Sequence, residues 1–100
     1  MPRVEMTVAH QLGRDEAVRR LTQKVDFLQQ TYGSKAKDVQ QEWTDNVLWF
    51  TVQAMGFKIS GSVTVEESDV QLQADIPLTA LPFKSLVERR VKDDLTQMLA

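Results

Sequence analysis

Three short turns between Val39 and Ile76 constrain this chain more than any other feature, because each one sets the register of a strand pair. Asp45-Asn46 separates two alternating runs, the signal of a two-residue hairpin loop. That loop sets Trp43 opposite Leu48, Gln41 opposite Phe50 and Val39 opposite Val52. Met55-Gly56 forms a second two-residue loop, in which glycine supplies any positive φ. It sets Ala54 opposite Phe57, Val52 opposite Ile59 and Leu48 opposite Val63. Glu66-Glu67-Ser68-Asp69 forms a third loop, which sets Val65 opposite Val70, Val63 opposite Leu72 and Ile59 opposite Ile76.

The three turns agree on one register that gathers almost every apolar residue on one face, and a slip of one residue in any strand would scatter that face. One row across the inner face reads Gln41, Phe50, Gly61, Ala74. The small pair Gly61 and Ala74 predicts a depression, where a helix can cross closely. The outer face carries Gln40, Thr51, Gln53, Lys58, Ser60, Ser62, Thr64, Gln71, Gln73 and Asp75. Trp49 also falls on that polar face, beside Glu42 and Ser62, and breaks the pattern.

The flanking segments complete an α+β pattern in the order β-α-β-β-β-β-α. Val4, Met6 and Val8 alternate with Glu5 and Thr7, predicting a short edge strand that pairs with 69–76 and makes a five-stranded sheet. Ala17, Val18, Leu21, Val25, Leu28 and Tyr32 form an apolar stripe at helical spacing over 14–32. Asp15 and Glu16 in its first turn suit the helix dipole, and Gly33 suits a left-handed stop. Ser34 to Lys37 reads as a polar connection. After Pro77, Leu78 to Leu81 read as a turn and Pro82 as the first turn of a second helix reaching Leu99. Phe83, Leu86, Val87, Val91, Leu95 and Met98 form its apolar face. Glu88–Lys92, Arg89–Asp93 and Arg90–Asp94 are its i,i+4 pairs. The expected architecture has two layers, a curled antiparallel sheet with both helices on one face, in a helix-grip-like arrangement.

Composition narrows the functional classes. One hundred residues predict one domain over 1–100, with roughly 65% of the unfolded surface buried. A net charge of −2 gives no electrostatic reason to expect nucleic acid or an anionic membrane. With no cysteine, thiol chemistry and thiolate metal sites are excluded. One histidine and no cysteine argue against structural zinc. No stretch approaches the ~20 apolar residues of a membrane span, and the first residues lack the apolar core of a signal peptide. These features predict a cytoplasmic protein.

No catalytic constellation is recognisable. His10 is the only histidine, and it stands where the first strand gives way to the helix, with Asp15 and Glu16 near in sequence. Without a nucleophile at a defined spacing, the expected role is a boundary residue hydrogen-bonded to backbone or water rather than a catalytic base. Asp15-Glu16, Glu66-Glu67 and Asp93-Asp94 are adjacent pairs, which diverge on helices and strands alike. Glu66-Glu67 reads as a solvated turn. The four glycines are scattered and form no phosphate loop. No cofactor and no metal is expected. The last helix has two readings, as cover for the sheet and as an interfacial helix on a lipid-like surface; the sheet's need for cover favours the first. Trp49, with Glu42 and Ser62, is the candidate contact surface, since tryptophan is enriched at contact sites. Phe50, Gly61 and Ala74 are the candidate floor of an apolar ligand cavity.

Val8-Ala9-His10-Gln11-Leu12-Gly13-Arg14-Asp15-Glu16-Ala17 resembles the N-terminal signature of the polyhydroxyalkanoic acid system family, small bacterial proteins of about this length. The resemblance continues through Trp43-Thr44-Asp45-Asn46 and Gly56-Phe57-Lys58-Ile59-Ser60-Gly61 and ends in a Leu-Pro turn before a terminal amphipathic helix. Thr44-Asp45-Asn46 departs from the glycine often found in that turn. The resemblance implies a link to synthesis, use or granule-surface organisation of storage polyesters, and it implies no catalytic residue. The expected function is therefore a non-enzymatic accessory or binding protein of that system, acting through surface contact at the granule, at a granule protein or as a homodimer. The alternative is a small helix-grip-like carrier of an acyl or other apolar ligand.

Overall fold

The computed structural model describes residues 2–34, 36–54 and 56–100, with the backbone alone described for Tyr32, Ala36, Lys37 and Ala54. Strand β1 (Arg3–Ala9) leads into helix α1 (Arg14–Tyr32). Strands β2 (Ala36–Thr44), β3 (Val47–Ala54), β4 (Phe57–Val65) and β5 (Asp69–Asp75) follow. A 3₁₀ helix (Leu78–Phe83) then runs into helix α2 (Lys84–Met98). The strands form an open antiparallel sheet in the order β1-β5-β4-β3-β2, so the fold is α+β as the pattern predicts.

The turn-derived register holds almost throughout. Trp43 pairs with Leu48, Gln41 with Phe50, Leu48 with Val63, Val63 with Leu72 and Val65 with Val70. Strand β1 pairs with β5 from Arg3↔Asp75 to Ala9↔Asp69, the expected edge position. Two pairings differ. β2 begins at Ala36, inside the stretch read as a polar connection, and a bulge between Lys37 and Gln40 sets Asp38 and Val39 together against Val52, so the expected Val39–Val52 ladder pair does not form. Asp38 has φ +53 within that bulge, where an extra residue bends the strand. At the other end, the β4–β5 ladder closes at Ser60↔Asp75. Ile76 does not continue it opposite Ile59; its N–H donates to the Pro2 carbonyl at 3.0 Å. Met55 of the second loop lies outside the described residues.

Both helices pack on the apolar face. Ala17 and Leu21 of α1, and Leu95 and Leu99 at the end of α2, are buried with Val8, Leu48, Val63, Val65 and Val70. A second cluster gathers Val4, Ala74, Ile76 and Ala80 under the 3₁₀ helix. Arg20 ties the end of the α2 segment to α1, donating to the carbonyls of Met98 at 3.0 Å and Ala100 at 2.7 Å.

The helix ends differ from expectation. Gly33 is right-handed, with φ −57, so α1 does not stop in a left-handed glycine. An added Cβ there would lie 2.5 Å from the Gln29 carbonyl oxygen, so close approach rather than positive φ is what glycine permits. Pro82 lies inside the 3₁₀ helix, and α2 starts two residues later. Glu88 pairs with Lys84 at 3.5 Å rather than with Lys92. The Arg90–Asp94 pair is present at 3.6 Å; Arg89–Asp93 is not among the ion pairs of the described residues.

The larger difference concerns the cover. Only the C-terminal half of the expected α2 face is packed, through Val91, Leu95 and Met98. Leu86 is 64% exposed, Phe83 52% and Val87 37%. Phe83 keeps one aromatic contact, a tilted pair with Phe57 at 6.4 Å.

Candidate functional site

Four features could carry chemistry or contact. The first is the junction around His10. Its side chain is buried at 6% exposure and tied to backbone on both nitrogens. The Leu12 N–H donates to Nδ1 at 3.2 Å, so Nε2 carries the proton and donates to the Glu66 carbonyl at 3.1 Å. The His10 N–H donates to the Ser68 carbonyl at 2.9 Å. His10 is thus the boundary residue the sequence predicts, with no unoccupied nitrogen facing Asp15 or Glu16. Glu16 is engaged elsewhere: hydrogen bonds from Arg19 first, and then Arg20, hold its carboxyl down at about 2.

The loop carrying Glu66 and Glu67 is more than the solvated turn expected. Gly13 precedes α1 with φ +80 and no side-chain cap. Glu67 fills that role from across the fold, accepting the Arg14 N–H at 3.4 Å, while Glu66 pairs with the Arg14 guanidinium at 3.5 Å. A carboxylate at a helix N-terminus satisfies an orphan donor and suits the dipole. The signal available in sequence was indirect: a glycine before a helix offers no side-chain oxygen to its first N–H groups, which leaves room for a carboxylate from elsewhere.

The second feature is an apolar cleft of about 590 Å³ between the helices and the sheet. Leu21, Val25 and Leu28 line it from α1, and Val91 and Leu95 from α2. Leu48, Phe50, Val52, Val63 and Leu72 form its floor, with Val39 at the β2 side. It shares Phe50 with the floor expected from sequence but not Gly61 or Ala74. The Phe50 ring lies against Gly61, its Cζ 2.9 Å from where a Cβ would stand, and Phe50, Gly61 and Ala74 together border a separate hollow, the one that Trp49 lines. Gly61 is thus met by its own cross-strand partner, and the cleft runs beside that row.

The third feature is a polar hollow of about 520 Å³ on the helix-free face. Trp49 stands there 54% exposed, between its pairing partners Glu42 and Ser62, as the register predicts. Arg3 and Asp75 border the same hollow, bonded to each other at 3.1 Å. The fourth is the stretch from Leu78 to Val87. Leu78 is 71% exposed, and Leu81, Phe83, Leu86 and Val87 are exposed with it. The amphipathic spacing of α2 was visible in sequence; that the apolar side chains of its first half stay exposed was not.

Among the described residues, no cluster of His, Cys, Asp or Glu is arranged to hold a metal ion. No helix of the described residues is long and apolar enough to cross a membrane. A search of curated proteins found no match. The family model described as "Putative polyhydroxyalkanoic acid system protein" matches residues 4–99, nearly the whole chain. The His10 junction, the Trp43 hairpin and the two-helix cover all fall within that match, and the chain belongs to the polyhydroxyalkanoic acid system family.

Proposed function

We propose that this protein is a non-enzymatic accessory protein of the polyhydroxyalkanoate system that acts by surface contact at the storage granule, in the cytoplasm. The observation that carries this reading is the exposed apolar stretch Leu78, Leu81, Phe83, Leu86 and Val87. Large apolar side chains left in water this close together mark an interaction surface more often than a scattered exposed leucine does. A hydrophobic polyester surface would cover them. Trp49, with Glu42 and Ser62, belongs to the opposite layer of the fold, and we assign it to a protein contact, either a second copy of the chain or a granule protein. The two surfaces together would let the protein link a granule to a partner.

Sedimentation with purified poly(3-hydroxybutyrate) particles tests the reading. The wild-type protein should pellet with the particles, and Leu81→Ser/Leu86→Ser should stay in the supernatant with unchanged circular dichroism. Trp49→Ala should still pellet. Wild-type protein remaining in the supernatant refutes the proposal, and loss of pelleting on Trp49→Ala alone moves the granule contact to the sheet's outer face.

A further inference from the structure

The cleft between α1, α2 and the sheet has a different character from the exposed stretch of α2. Its volume, about 590 Å³, falls in the range of about 300–1,000 Å³ typical of small-molecule sites. Its walls are aliphatic and aromatic, and two charged residues reach them. One is Asp94, which is held by Arg90 at 3.6 Å. The other is Lys24, whose ammonium lies 5.5 Å from the centre of the Phe27 ring and has no carboxylate partner among the described residues. The other basic residues of α1 differ: Arg14, Arg19 and Arg20 each hold a carboxylate. Lys24 and Asp94 are thus the charged groups of the lining, and of the two only Lys24 has no ion-pair partner among the described residues.

We infer that this cleft binds a single straight acyl chain with an anionic head group, the chain lying along Val25, Val52 and Val91 and its carboxylate meeting Lys24. An apolar interior with one lysine suits a ligand that is apolar along its length and negative at one end. A second copy of the chain is the competing occupant, because Leu28 and Val39 at the lining are exposed. The positive charge of Lys24 on the lining favours a ligand with an anionic end over a purely apolar protein face. The inference does not depend on granule contact, since a soluble chain in the cleft and a polyester surface on the Leu78–Val87 stretch use different residues.

Isothermal titration calorimetry with hexanoate, octanoate and decanoate, each below its micellar concentration, tests this on the whole protein. One chain per protein is expected, and each added pair of methylenes should tighten binding by roughly an order of magnitude until the cleft is filled. Lys24→Met should weaken decanoate severalfold and leave decanol unchanged. Leu28→Trp, at an exposed position that the fold tolerates, should abolish binding of both by crowding the cleft. Absence of binding, affinity independent of chain length, or equal loss of decanoate and decanol in Lys24→Met overturns the inference. So does a dimer in light scattering that Leu28→Trp converts to monomer. None of these outcomes bears on sedimentation with polyester particles.

Discussion

Gly61 offers the sharpest test of how the sheet is built. It sits in the middle of β4, paired with Phe50 on one side and Ala74 on the other. A Cβ placed there would press on the Gln73 carbonyl oxygen, lie 2.8 Å from the Ala74 Cα, and lie 2.9 Å from the Phe50 ring. Two of these three neighbours are backbone atoms of β5, which cannot rotate out of the way as a side chain can. Gly61→Ala must therefore push β4 and β5 apart or bend one of them. Overpacking of this kind costs typically about 1–3 kcal/mol, and the backbone contacts place it at the upper end, near 3 kcal/mol. For a domain of this size that lowers the melting temperature by roughly 12–24 °C. Thermal unfolding followed by circular dichroism, with denaturant titration for the free energy, reads both quantities. Combining Gly61→Ala with Phe50→Leu should recover only part of the loss, because it relieves the ring contact and leaves the two backbone contacts. A Gly61→Ala protein that melts within about 2 °C of wild type would refute the argument that close strand approach is what glycine provides here.

Three single side chains give further tests. His10→Ala should destabilise by about 2 kcal/mol in denaturant titration, because it strips partners from the Leu12 N–H and the Glu66 carbonyl; His10→Asn keeps an acceptor near the Nδ1 position and should lose less. Asn46→Ala removes the 2.8 Å bond from its amide to the Val65 carbonyl and should cost about 1 kcal/mol. Glu16 has a folded-state pKa of about 2 against an ordinary value of 4.5, through its bonds from Arg19 and Arg20. Its contribution to stability is therefore complete above pH 4.5 and is lost as pH falls toward 2. Melting temperature measured from pH 5 to pH 2 should fall less steeply in Glu16→Gln than in wild type, and parallel curves would show that the pair adds nothing.

Local chemistry accounts for what could be read before the fold was known. Turn residues and the two-residue period of a strand act within a few positions, so the three turns at Asp45-Asn46, Met55-Gly56 and Glu66 each carry the register of one strand pair from β2 to β5. The backbone role of His10 was also legible, because no nucleophile stands at a defined spacing from it. The bulge at Asp38 and Val39 was not, since an alternating stretch looks the same with or without one extra residue.

For the candidate surfaces the division is sharper. Residue spacing is enough to say which faces are apolar: the α1 stripe, the α2 stripe, the inner face of the sheet, and Trp49 as the outlier on the polar face. Which of those faces are covered emerges only when the elements pack together. The ring of Phe50 meets its cross-strand neighbour Gly61, and the apolar cleft opens beside that row, between the sheet and the two helices. Periodicity records the direction of a side chain from its own helix or strand. Cover depends on the length, angle and separation of elements far apart in the chain, and those are set when the whole core packs.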